Sequence, residues 1–423
     1  MLSYFRIQNY RSILDMTVDF RFAEGKAPNG YRELETFPFL EVKTHRVVPC
    51  LAFYGANASG KTNIIKAFES FQEIVVTGLD TNSYNPNKLN RQHNTTVFEL
   101  SFISQGKNLL YYLEFNKAEI IEETLRVDDE LIFSISKNLR NFENIVSDTY
   151  TTLKLKEIYT VECSDIHKKH TRSFLSVIGR GYSGLNEEIS EAFNYITNCI
   201  EIYQSNQISF SMGLNRLAES YDSELVEKAF VTIVSFLKKL DIDINRMDLN
   251  RNRVKRGKDF QISNVYDAIL NRTDNTLYAD SIHSYHTDIN GNEIEFDFHD
   301  ESDGTQRLSS LLGVFLSVLK KGNIVIIDEL ECSLHSLLLI ELIKLFKDKR
   351  YNKKNAQLVF TAHNTDIMDD ELLRMSEIGI IHKTLKEGST QHRISDFDGI
   401  RNVNNFRKQY LQGNFSGIPF PYI

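Results

Sequence analysis

The chain has 423 residues, 41% hydrophobic and 25% charged. That is the balance of a globular protein with room for two lobes, or for one core with a large insertion. Its formal net charge of −8 excludes a surface that attracts nucleic acid as a whole, so DNA binding would need a local basic patch. No apolar run is long enough to cross a bilayer; the longest, around Ile324–Ile327, has the length of a buried strand. The N-terminus, MLSYFRIQNYRSILDM, lacks a charged region, apolar stretch and cleavage site in secretory order, which points to the cytoplasm. Cys50, Cys163, Cys199 and Cys332 show no metal-ligand spacing and read as reduced, buried thiols.

Alternation predicts strands over 2–8 and 13–22, joined by NYRS. A buried strand over 47–54 runs into the glycine loop GANASGKT at 55–62. Ile64, Ile65, Phe68, Phe71 and Ile74 then share one face of a helix over 61–77. Strands over 97–104 and 109–116 form a hairpin around QGKN, and strand-like stretches follow near 119–127 and 130–136. Residues 150–245 turn helical, with amphipathic helices in LNEEISEAFNYITNCI and SELVEKAFVTIVSFLKKL. No heptad pattern is sustained there, which argues against a coiled-coil arm. Strands return over 246–298 with a hairpin at Asn290–Gly291, and from 305 helix and strand alternate: helix 305–320, strand 323–328, helix 335–348, strand 357–361. The end, LQGNFSGIPFPYI, reads as a tail that packs or meets a partner.

GANASGKT fits G-x-x-x-x-G-K-[ST] and sits between a strand and a helix, the context that gives the motif meaning. Gly55 and Gly60 let the backbone bend so that N–H groups from Asn57, Ala58, Ser59, Gly60 and Asn63 face one phosphate chain. The helix N-terminus adds partial positive charge, Lys61 reaches for the β- and γ-phosphates of ATP, and Thr62 ligates Mg²⁺. IVIIDE at 324–329 supplies the partner: a buried strand whose end presents Asp328, to hold Mg²⁺ through water, and Glu329, to act as general base on the attacking water. Taken alone, two acids at a strand end are as easily solvated side chains.

A second possible anion cradle lies in HDESDGTQRL at 299–308. Ser302 suits an N-cap and Gly304 permits close backbone approach, ahead of an apolar face of Leu308, Leu311, Leu312, Phe315 and Leu319. Locally, a well-capped core helix explains this equally well.

The order of motifs decides between them. Glycine loop, insertion, SDGT, IVIIDE, CSLH and TAHNT resemble the P-loop, signature, Walker B, D-loop and H-switch of the ABC-type ATPase head, in its stand-alone SMC-like and RecF-like branch. The resemblance implies an α/β fold: an ABC-type P-loop ATPase head with an antiparallel β subdomain and an inserted helical subdomain, divided as 1–140, 141–245 and 246–423. It implies that Ser302 and Gly304 cap the γ-phosphate held by the opposite subunit of a two-fold dimer, although Asp303 and Thr305 depart from the transporter form of the signature. It makes His363 the switch residue, lays CSLH along the dimer seam, and places Arg11 of NYRS near the phosphates, where composition alone suggests a surface turn. Gln92 lies where a Q-loop would fall, without confirming context.

With the tail YLQGNFSGIPF, these motifs resemble the compact bacterial AAA-family ATPases of the AbiL or RloA type over nearly the whole chain, least in 140–290. That resemblance implies a role in abortive infection beside a separately encoded effector, and a homodimer or higher homo-oligomer with no membrane part. The related overcoming-lysogenization-defect nucleases append a Toprim domain. The residues after His363 are too few for one, and SDFDGI at 395–400 reads as a loop. The other reading is a RecF-like DNA-binding repair ATPase, for which RNRVKRGK at 251–258 and KKHTR at 168–172 are the basic candidates.

Overall fold

The computed structural model describes residues 1–21, 46–89, 93–136, 142–143, 149–162, 171–182, 184–204, 207–220, 226–254, 267–271, 276–397 and 405–418. Gln92, Cys163, residues 168–170 and 255–258 of the basic stretches, residues 398–400 and the last five, 419–423, lie outside them. Of Arg251 and Arg253 only the strand placement is described. The chain divides into two compact units: Met1–Tyr203 with Gly322–Leu330 and Phe346–Ile423, and Gln204–Lys321 with Glu331–Leu345.

In chain order come β1 (Leu2–Tyr10), β2 (Ile13–Asp19), β3 (Cys50–Tyr54), α1 (Lys61–Thr77), and a meander of β4 (Thr96–Ser104), β5 (Lys107–Phe115), β6 (Ile120–Val127), β7 (Glu130–Ser136) and β8 (Phe142–Glu143). Helices α2 (Thr149–Glu162), α3 (Phe174–Gly181) and α4 (Glu187–Asn194) lead to β9 (Ile200–Gln204). Next are α5 (Phe210–Glu219), α6 (Val226–Lys239), β10 (Arg246–Val254), β11 (Asp267–Asn271), β12 (Thr276–Thr287), β13 (Glu293–Asp297) and α7 (Asp303–Lys321). The chain ends with β14 (Ile324–Asp328), α8 (Ser336–Lys347), β15 (Gln357–Thr361), β16 (Ile378–Thr384), β17 (Gly388–Arg393) and α9 (Phe406–Leu411).

The mixed α/β class expected from the sequence is the class found. The first unit is built on one sheet, in the order β8-β7-β6-β5-β4-β1-β2-β17-β16-β3-β15-β14-β9. From β8 to β16 neighbouring strands are antiparallel, and β16, β3, β15 and β14 are parallel. β3, β14 and β15 are buried along their whole length, as apolar strands covered on both faces must be, whereas β5 alternates. Helix α1 has the predicted limits and buries the predicted face. Phe68 and Phe71 meet Phe5 at ring-centroid distances of 4.2 and 5.5 Å, and Phe98 and Tyr111 extend the cluster. Burying such rings stabilises by about 2 kcal/mol each and anchors α1 to the antiparallel strands.

The helix predicted across 185–200 ends earlier. Asn186 caps α4, which stops at Asn194, and a π-helical turn at Tyr195–Cys199 precedes β9. Tyr195 stacks on Phe102 of β4 at 4.1 Å, and the branched residues Ile196, Thr197, Ile200 and Ile202 favour leaving the helix. Thus, of residues 141–245, α2–α4 belong to the first unit, and α5 and α6 to the second. The thiols also differ from expectation. Cys50 is buried, and burial pushes its thiol well up, but Cys199 is only partly covered and Cys332 is exposed in the turn after β14.

In the second unit α5 crosses α7 at close quarters. A Cβ on Gly213 would lie 2.4 Å from the Ser310 carbonyl oxygen, and one on Gly313 2.5 Å from the Gly213 carbonyl carbon. Leu308, Leu311, Leu312, Phe315 and Leu319 of α7 are buried as predicted. β12 pairs with β10, β11 and β13, and its turn into β13 falls at the predicted Asn290–Gly291, where Asp288 accepts the N–H groups of Asn290 and Asn292. No helix among the described residues is long and apolar enough to cross a membrane.

Candidate functional site

The site grows from the ends of the parallel strands. β3 leaves the core at Tyr54 and turns at Gly55, where a Cβ would lie 2.4 Å from the Ile381 carbonyl oxygen. Ala58 takes a left-handed φ of 62°, at a cost of about 1 kcal/mol for a residue with a Cβ. Gly60, the N-cap of α1, has φ 112°, and a Cβ there would lie 2.3 Å from Ser389 Oγ and 2.8 Å from Ser12 Oγ. Both glycines are therefore required by shape. The Ser59 N–H donates to the Ala56 carbonyl at 3.1 Å and the Asn63 N–H to the Gly60 carbonyl at 3.0 Å, which tightens the turn into α1; the positive end of the helix dipole makes this end an anion site.

Lys61 is buried, and its Nζ donates to the carbonyls of Gly55 at 2.7 Å and Ala56 at 3.3 Å. Thr62 is exposed beside it. The loop is braced by hydroxyls. Ser389 Oγ lies 2.6 Å from the Ser59 carbonyl and 2.7 Å from Ser12 Oγ, and Asn63 Nδ2 donates to Ser12 Oγ at 2.7 Å. Each hydroxyl has one proton, so Ser389 donates to the carbonyl and Ser12 donates to Ser389. Of NYRS, Ser12 is the residue that reaches the loop. Arg11 is exposed in the β1–β2 turn, with its guanidinium 5.7 Å from the Tyr10 ring centroid, and does not line the cavity described next.

β14 delivers Asp328 nearly buried at its end, and the chain leaves through Glu329 in a left-handed conformation, φ 54°. One hydroxyl organises both residues. Thr361 Oγ1 donates to Asp328 Oδ1 at 2.5 Å and accepts the Glu329 N–H at 2.7 Å. His363 lies two residues beyond β15, with Nε2 3.9 Å from Glu329 Oε1, and both side chains are open to solvent. Asn57–Asn63, Asp328, Glu329, Thr361, His363 and Lys383 line one cavity of about 520 Å³, a size that holds a small ligand. A glycine-shaped loop, helix N–H groups, a buried lysine, a free-standing threonine hydroxyl and an oriented aspartate fit a nucleotide polyphosphate with Mg²⁺.

Lys383, Thr361 and Ser389 were not picked out from the sequence, whereas Ser12 is the serine of the NYRS motif. Thr361 stands in QLVFTAH as an ordinary β-branched strand residue. Lys383 and Ser389 lie on a hairpin whose place beside the loop is a tertiary fact.

Ser302 and Gly304 belong to the second unit. Ser302 Oγ accepts the Thr305 N–H at 3.2 Å and lies 2.9 Å from Thr305 Oγ1, so it caps α7 as predicted. Gln306 secures the turn by donating to the carbonyls of His299 and Glu301. A Cβ on Gly304 would find its nearest neighbour, the Ser333 carbonyl oxygen, at 3.6 Å, an ordinary contact. Packing within this unit does not demand glycine there. In CSLH, Ser333 has a left-handed φ of 60° and His335 Nδ1 accepts the Leu337 N–H at the start of α8.

A family model described as "AAA domain, putative AbiEii toxin, Type IV TA system" matches residues 50–369. Among solved structures, the SMC head domain from Thermotoga maritima is similar at 13% identity, over 93% of this chain and 98% of that one, with a TM-score of 0.41. No curated protein matches the sequence.

Proposed function

The chain belongs to the AAA-domain family of the putative AbiEii toxin type, and on that premise we propose that it is an ATP-hydrolysing switch that closes as a homodimer around ATP and controls a separately encoded effector in anti-phage defence. The observation that carries the ATPase reading is the Thr361 hydroxyl, which ties Asp328 and Glu329 together on the wall of the cavity that Lys61 and Thr62 also line.

The N–H groups of the Gly55–Asn63 loop bind the phosphates. Lys61 exchanges the carbonyls of Gly55 and Ala56 for phosphate oxygens, so that its ammonium meets charged acceptors in place of neutral ones. Thr62 and Asp328 hold Mg²⁺, Asp328 with its carboxylate plane set by Thr361. Bound Mg–ATP supplies the phosphorus under attack and the neutralisation of charge that builds on the leaving phosphate. Glu329 takes the proton of the attacking water, and His363 stands beside it to sense the γ-phosphate.

Ser302 and Gly304 meet the γ-phosphate of the other copy. The glycine that packing does not demand supports this, since close approach of a ligand is the remaining reason for it. Differential binding does the switching: a 10⁴-fold preference of ATP for the closed state takes about 5.5 kcal/mol, within reach of a few trans hydrogen bonds to charged phosphates. The family's description as a putative toxin of a toxin–antitoxin system supports a partner protein.

Phosphate release from Mg–ATP by the purified chain tests the reading. Glu329→Gln should bind ATP and not hydrolyse it, and Lys61→Ala should bind none. Hydrolysis by Glu329→Gln at the wild-type rate would remove Glu329 as the base.

A further inference from the structure

We infer that Lys383 is a second phosphate-binding lysine of the site, holding the α- and β-phosphates at the end of the nucleotide that does not react. The inference rests on the nucleotide reading above.

Three observations place it there. Lys383 lines the same cavity as Asn57–Asn63, Asp328, Glu329 and His363. It follows Ile381 by two residues along β16, so both side chains lie on one face of the strand; the Ile381 carbonyl is the atom that leaves no room for a Cβ on Gly55. Across the hairpin it pairs in register with Ser389, whose hydroxyl grips the Ser59 carbonyl and closes on Gly60. The lysine is thus fixed to the glycine loop by the strand that carries it and by that strand's neighbour. It is exposed, and among the described residues no carboxylate pairs with it. An exposed cation at the rim of an anion cradle has a ready ligand in phosphate.

Strand order tells which phosphates it meets. β15 and β14, which lead to His363, Asp328 and Glu329, lie on one side of β3, and β16 lies on the other. A polyphosphate seated over the loop with its γ end at Glu329 therefore turns its α and β end to Lys383. Such a contact is made equally to ATP and to ADP. It strengthens binding and leaves the chemical step to Glu329, the signature of uniform binding.

The test is calorimetric titration of Mg–ADP and of the Mg complex of the non-hydrolysable β,γ-imido analogue of ATP into wild type, Lys383→Gln and Lys383→Arg, with thermal melts to check folding. Lys383→Gln should weaken both nucleotides by the same factor, about tenfold, with the loss of turnover appearing in KM; Lys383→Arg should restore most of the affinity. Wild type that binds neither nucleotide overturns the nucleotide reading and this inference with it. Wild type that binds both, with Lys383→Gln binding them equally well, overturns this inference alone. A loss confined to the triphosphate analogue would put Lys383 at the γ end and contradict the assignment.

Discussion

Thr361 Oγ1 stands 2.5 Å from Asp328 Oδ1, and the same oxygen accepts the backbone N–H of Glu329. The residue proposed to orient the metal and the residue proposed to activate water therefore share one buried support. Thr361→Val keeps the shape and the strand propensity but removes that support. It should lower kcat about 10- to 100-fold, the usual cost of losing an outer hydrogen bond behind a metal ligand, and leave a nucleotide-binding loop that still takes up ATP. Steady-state hydrolysis as a function of Mg²⁺ would show it; an unchanged kcat would mean that Asp328 and Glu329 are held without Thr361.

Gly304→Asp is expected to leave the fold as stable as wild type, within about 0.5 kcal/mol, because the position has space for a side chain. It should nevertheless abolish hydrolysis, since a carboxylate there repels the γ-phosphate of the facing copy. Thermal melts paired with phosphate release separate the two effects. A destabilised protein would return Gly304 to a packing role.

Gly313→Ala should do the reverse. Its Cβ would press on the backbone of Gly213, and overpacking a helix crossing costs about 1–3 kcal/mol. The variant should melt earlier while still binding nucleotide at the glycine loop. Wild-type stability would show that α5 and α7 separate freely.

Glu123 gives stability a pH dependence. Its buried carboxyl accepts the N–H groups of Phe174 and Leu175 at the start of α3, and the Tyr111 hydroxyl. Burial pushes its pKa up to about 7 from an ordinary 4.5, against the pull of those three donors. The folded chain thus binds a proton that the unfolded chain has released. This favours folding fully below about pH 4.5, and the benefit is lost as pH rises through about 7, to a total on the order of 3 kcal/mol. In denaturant titrations at pH 5 and pH 8, wild type should lose more stability between the two than Glu123→Gln. Equal losses would mean that Glu123 is ionised at both.

Much of the site was legible because its parts are local. Gly55, Gly60, Lys61 and Thr62 stand within one strand–loop–helix, and the apolar run of β14 announces Asp328 and Glu329. Helix α1 was readable to its last residue because period 3.6 and the bounding glycines, Gly60 and Gly78, agree. What escaped depends on distant partners. Tyr195 ends its helix early against Phe102, a residue of the meander, and Ser389 braces Ser59 from 330 positions away. Cys332 follows the apolar run of β14, yet the turn after that strand carries it to the surface. The hairpin of β16 and β17 gave no periodic signal strong enough to place Lys383. The described part of the tail packs: Phe415 is buried and meets Phe397 at a ring-centroid distance of 5.5 Å, and a Cβ on Gly417 would lie 3.8 Å from the Gly55 Cα.

The mass of Glu329→Gln in solution, with and without Mg–ATP, bears directly on the closing of two copies around ATP, with Ser302→Arg in the same background as control. A mass that doubles with ATP, and does not when Ser302 is replaced, is the predicted result. A monomer under every condition, or a dimer indifferent to both ATP and Ser302, would contradict it.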